Sequence, residues 1–194
     1  MRRILAVVSA LFLMAACGGN APGGSPSESL PATCGRATCQ FEDENLAFEY
    51  PASWHAATYM VVSSFSNDLV YLSTAPLSDP CDRTASGVAC VRLAATSLGT
   101  NGVLVTWTVW GRPGWTFDPG QGSQLSVGQR QATLVAQTPS ESCTAIGGVR
   151  EIIVTIASSV PDNWTQLDAC LAGPDPSVAQ GQVEGMLKTV HWKE

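Results

Sequence analysis

Side chains suited to acid–base or metal chemistry are scarce in this chain. Its 194 residues hold two histidines, His55 and His191, and Asp, Glu, Lys and Arg together make up only 13%. A serine or cysteine nucleophile needs a base within reach, and one of the two histidines lies among the last four residues. Serine-rich stretches such as "VSSFS" lack the sharp Gly-x-Ser-x-Gly turn that exposes a nucleophile. Thiols are present, but with so few histidines no zinc spacing forms. The acid-rich segments "FEDENL" and "SDPCD" do not place oxygen ligands at calcium-loop spacing, and Glu42, Asp43 and Glu44 read as the solvated approach to a strand. A pair of carboxylates across a cleft would be needed for glycoside hydrolysis. The expectation is no catalytic residue, no metal and no cofactor.

Positive charge is short as well. Ten Lys and Arg stand against sixteen Asp and Glu, a formal charge of −6 that becomes two units more negative if Arg2 and Arg3 are removed. The basic footprint of a nucleic-acid binder is absent. Long apolar runs are also missing: residues 4–14 form the longest, broken by one serine. At about 1.5 Å per residue they cover roughly 17 Å, well short of the ~30 Å hydrocarbon core. With Arg2 and Arg3 ahead of it, the run has the form of an export signal.

The end of the run narrows its meaning. The residues "MAAC" at 14–17 resemble the lipobox of bacterial lipoproteins, in which small residues precede a cysteine that is diacylated before cleavage on its N-terminal side. The resemblance implies a lipoprotein signal peptide over residues 1–16 and lipidation of Cys17. It also implies a protein held by acyl chains, palmitate among them, on the outer face of the cytoplasmic membrane in the cell envelope. The other reading is an ordinary secretory signal cleaved after Ala16, with Cys17 a spare thiol. One acyl chain anchors only marginally and two or three anchor firmly, since each buried CH₂ contributes about 0.8 kcal/mol. Residues 17–33, rich in Gly, Pro and Ser, read as a flexible tether with a reach of roughly 20–24 Å. Residues 34–194 are then a single globular domain.

Setting Cys17 aside leaves six cysteines: Cys34, Cys39, Cys81, Cys90, Cys143 and Cys170. An even set in an exported chain reads as disulfides. Six cysteines allow fifteen connectivities and the sequence alone does not choose among them; the set expected is the sequential one, with "CGRATC" and "CDRTASGVAC" as short polar loops stapled at their ends and Cys143 left for Cys170.

Strand patterns dominate the domain. In "LAFEY" Leu46, Phe48 and Tyr50 alternate onto one face. "ATYMVVSSFSNDLVYLSTA" suggests two segments about a turn near "SND", "GTNGVLVTWTVWG" a further strand, and "VREIIVTIAS" a long central one. "SQLSVGQRQATLVAQT" suggests a hairpin turning at Gly128 and Gln129. Near the end the period changes: Val183, Met186, Leu187 and Val190 form one helical stripe, with Asp175 and Pro176 as its start. "NWTQLDACL" fits either period.

The strand "LAFEYPASW", taken with the final "VEGMLKTVHW", resembles the PsbP-like superfamily and its actinobacterial lipoprotein relatives of the LpqN kind. Phe48, Tyr50, Pro51 and Trp54 match the "F-x-Y-P-x-x-W" strand end that opens such domains. The resemblance implies an α+β sandwich, an antiparallel sheet flanked by helices with the C-terminal helix packed on it. It also implies a binding or accessory role, with no shared catalytic residues.

Aromatic residues supply the remaining candidates. Trp107, Trp110 and Trp115 fall close together, with "GRPGW" forming a turn between the last two. Trp107 and Trp110 are an odd number of residues apart, so a strand places them on opposite faces. One of that pair is therefore expected in the core and the other exposed or covered by a helix, and Trp110 and Trp115 are the candidate ligand contacts. The function expected is a non-catalytic binding module for a protein, glycan or apolar ligand. A hydrolase acting on envelope carbohydrate or lipid and a structural spacer are the alternatives.

Overall fold

The alternation of apolar and polar residues that marks the middle of the sequence extends over nearly the whole domain. The computed structural model describes residues 33–61, 63–84 and 87–193. The signal segment, Cys17 and the tether up to residue 32 lie outside the described residues. The first strands are β1 (Thr33–Cys34), β2 (Thr38–Glu42), β3 (Leu46–Pro51), β4 (His55–Ala57) and β5 (Ser66–Ser73). After them come β6 (Cys81–Thr84), β7 (Gly87–Cys90), β8 (Val103–Gly111), β9 (Ser123–Val127) and β10 (Arg130–Gln137). Helix α1 (Glu141–Ala145), β11 (Gly148–Ala157), β12 (Asn163–Ala172), helix α2 (Ser177–Leu187) and β13 (His191–Trp192) complete the order.

Seven of these strands form an antiparallel sheet in the order β4-β5-β8-β12-β11-β10-β9, and four form a second sheet, β1-β2-β3-β13. The inner face of the large sheet carries Val70, Leu72, Val105, Trp107, Ile152, Val154, Ile156 and Leu167, all fully buried. Opposite lie Phe41, Leu46, Phe48 and Tyr50 of the small sheet, together with Val183, Met186 and Leu187 of α2. Phe48 stacks on Trp107 with ring centroids 5.1 Å apart, joining the two sheets at the centre of the core.

This arrangement corrects the expected fold class. The chain is β-rich, with three sheets and only two helices among the described residues, rather than a sheet flanked by helices. A second sheet occupies most of the layer in which helices were expected. The segment "NWTQLDACL" is the strand β12, paired on both sides, with β8 and β11. Its Trp164, Leu167 and Leu171 have helical spacing, but pairing over its whole length decides the conformation. The turn expected near "SND" lies earlier, where the Ser63 hydroxyl accepts from the Phe65 and Ser66 amides, and Ser66, Asn67 and Asp68 begin β5.

Three disulfides join Cys34 to Cys39, Cys81 to Cys90 and Cys143 to Cys170. The first two staple local hairpins, and the third ties α1 to β12. Gly148 passes against that third bridge, where a methyl group would overlap both sulfurs. The β9–β10 hairpin turns at Gly128 and Gln129, both with positive φ. Such a turn suits the right-handed twist of paired strands. A Cβ at Gly128 would also meet the Val190 carbonyl oxygen at 2.5 Å, so this turn sits tightly against the C-terminal segment.

Candidate functional site

The outer face of the large sheet divides into three parts. At one end a second apolar cluster, with Tyr71, Leu104, Ile146 and the Cys143–Cys170 bridge, covers the strands. The middle is polar and the other end is aromatic. Alternation along β8 buries Trp107 inside and turns Trp110 outward, where it is half-buried.

Trp110 stands directly across from Trp164 in the β8–β12 register. Their rings are nearly parallel, 6° apart, with centroids separated by 5.7 Å. Trp115 reaches the same place from the loop after β8. The Arg112 amide donates to the Asp162 carbonyl at 2.9 Å and the Gly114 amide to the Asp162 carboxylate at 3.0 Å, which ties this loop to the β11–β12 turn. The Trp115 ring then stacks on Trp164 at 4.3 Å. Trp110 and Trp115, the two candidates from the sequence, are thus brought together through a third ring. Trp164 escapes sequence reasoning because its segment fits two periods, and its cross-strand partner is more than fifty residues away in the chain.

Beside the rings runs a chain of polar groups. The Trp164 indole donates to Gln166 at 3.4 Å, and the Gln166 amide donates to both oxygens of Asp168, at 3.1 and 2.9 Å. Burial pushes the Asp168 carboxyl up to about 6, with Glu151 and Asp68 adding to the rise and the Gln166 bond opposing it. Two strands over, Asp68 accepts from the Thr108 hydroxyl at 2.7 Å and from the Tyr71 hydroxyl. Burial, then the bond to Asp68, holds the Tyr71 phenol well above its ordinary range. Glu151 accepts from Gln137 and from the Ser140 hydroxyl and amide.

This surface offers flat aromatic rings beside hydrogen-bond acceptors. Neither histidine belongs to it: His55 lies in edge strand β4 and His191 in β13 of the other sheet. The acid-rich segments have local roles. Glu42 pairs with Lys193 at 2.6 Å, Asp43 accepts from the Asn45 and Leu46 amides, and Asp79 and Asp82 pair with Arg83 and Arg92. Among the described residues no three His, Cys, Asp or Glu side chains form a metal-holding group. No helix among them is long and apolar enough to cross a membrane.

No protein-family model and no curated protein matches the chain.

Proposed function

We propose that this protein is a non-catalytic binding module, anchored through a lipid on Cys17 to the outer face of the cytoplasmic membrane, and that its tryptophan face holds a glycan. The observation that carries the binding reading is the stack of Trp110, Trp164 and Trp115 beside Gln166, Asp168 and Asp68. A sugar presents C–H groups on its ring face and hydroxyls at its edge. Indole rings suit the first and carboxylates or amides suit the second. The anchor is supported by Arg2, Arg3, the short apolar run and "MAAC". The "F-x-Y-P-x-x-W" likeness of Phe48, Tyr50, Pro51 and Trp54 agrees with an accessory role.

The test is titration of the full chain with soluble oligosaccharides released from bacterial envelope, read by tryptophan fluorescence and by assay of new reducing ends. Saturable binding that weakens at least tenfold in Trp115→Ala, with no sugar cleaved, is the expected result. No binding, or unchanged binding in Trp115→Ala, overturns the glycan site, and released reducing ends overturn the non-catalytic reading. Mass spectrometry of the membrane-extracted protein should find a diacylated Cys17 at its N-terminus, and an unmodified Cys17 there overturns the anchor.

A further inference from the structure

The chain contains only two lysines, Lys188 and Lys193, and both line one groove. The groove has a volume of about 1020 Å³ and lies where the β9–β10 and β11–β12 turns meet the C-terminal segment. Arg130 and His191 line it as well, and none of the described residues that line it is acidic. This concentration of basic groups stands out in a chain with sixteen acidic residues against ten basic ones.

The cations differ in what already holds them. Lys193 is occupied by Glu42 at 2.6 Å and by the Asp43 carbonyl at 2.5 Å. Arg130 and Lys188 form no ion pair among the described residues. The Arg130 guanidinium lies 3.9 Å from the centre of the Trp192 ring, and Trp192 is fixed by its indole bond to the Val127 carbonyl at 2.8 Å. Stacking orients the guanidinium while leaving its N–H groups for an oxyanion. The neighbouring carboxylates are engaged elsewhere: Asp162 with the Gly114 amide and Glu184 with the Gln180 amide. Ser158, Ser159 and Asn163 add polar groups, while Val109, Val160, Val190 and Trp164 make apolar wall.

From this we infer that the groove binds an anionic amphiphile, its oxyanion head held by Arg130 and Lys188 and its apolar body along the valine and tryptophan wall. The volume far exceeds one phosphate and lies at the upper limit of the roughly 300–1,000 Å³ common for small-molecule sites. The groove shares Trp164 with the tryptophan face, but the two readings are tested apart, because they differ in ligand and in the variants that probe them.

The experiment is calorimetric titration of the full chain, kept in a neutral detergent, with hexyl phosphate, inorganic phosphate and hexanol. Hexyl phosphate should bind saturably, with inorganic phosphate and hexanol at least tenfold weaker. Arg130→Gln should weaken hexyl phosphate about tenfold and the exposed Lys188→Gln about threefold. Because Lys188 is exposed, its variant should keep the wild-type melting temperature and remain informative if Arg130→Gln folds poorly. Absence of saturable binding, an unchanged affinity in a normally melting Lys188→Gln, or equal affinity for inorganic phosphate overturns the proposal.

Discussion

Trp107 and Trp110 occupy the same strand three residues apart, yet they belong to opposite faces of one sheet. Trp107 is fully buried against Phe48, whereas Trp110 is half-buried and stacks on Trp164. Both indole N–H groups are buried without a protein acceptor. An unpaired buried donor costs about 1–3 kcal/mol, so neither ring is retained for its polar atom. On the inner face the ring joins two sheets, while on the outer face it builds a surface. Identical chemistry is thus put to different uses by the two-residue period of a strand.

The largest effect should come from breaking the inner face. Trp107→Ala is expected to lose about 3–5 kcal/mol and with it most of the cooperative transition in urea. Next is the bridge in the apolar cluster that covers one end of the outer face. Replacing Cys143 and Cys170 by Ala should cost about 3.5 kcal/mol, against about 2 kcal/mol for Cys34–Cys39 and about 2.6 kcal/mol for Cys81–Cys90, because the closed loop is longer. Separate thermal melts of the three paired variants test this ranking.

A smaller effect of opposite sign should come from Asp168. Its folded carboxyl titrates near 6 and its unfolded one near 3.8, so between these values the fold holds a proton that the unfolded chain has released. Stability from this group is therefore highest below about pH 4, falls as pH rises toward 6, and levels off above. Asp168→Asn should stabilise the protein by about 1–2 kcal/mol at pH 7.5 and do little at pH 4. Urea denaturation at the two pH values checks it. The smallest expected change in folding is that of Trp115→Ala, about 1 kcal/mol or less, since it removes one stacked pair from a loop. A loss as large as that of Trp107→Ala would show that the two faces are not energetically distinct.

Local pattern carried part of this organisation. The odd spacing of Trp107 and Trp110 revealed their opposite faces, and Gly128 with Gln129 revealed the hairpin turn. The alternation of Leu46, Phe48 and Tyr50 revealed a buried strand face. Strand partnership was less legible. β8 lies between β5 and β12, and no property of "VLVTWTVW" alone names those neighbours. The helices implied by the PsbP-like resemblance gave way to a second sheet for the same reason. The basic groove was invisible because Arg130 meets residues 188–193 only after the hairpin folds onto the C-terminal segment.

The first disulfide has a mechanical consequence. A pull on the chain ahead of Thr33 reaches Cys34 and crosses directly to Cys39, so residues 35–38 carry none of the tension. The load arrives at β2, and the first long ladder to resist it is the β2–β3 pairing. Reducing the bridge would release about 14 Å of slack before that ladder is strained. With the bridge intact, the strand that carries the load is held taut from the outset.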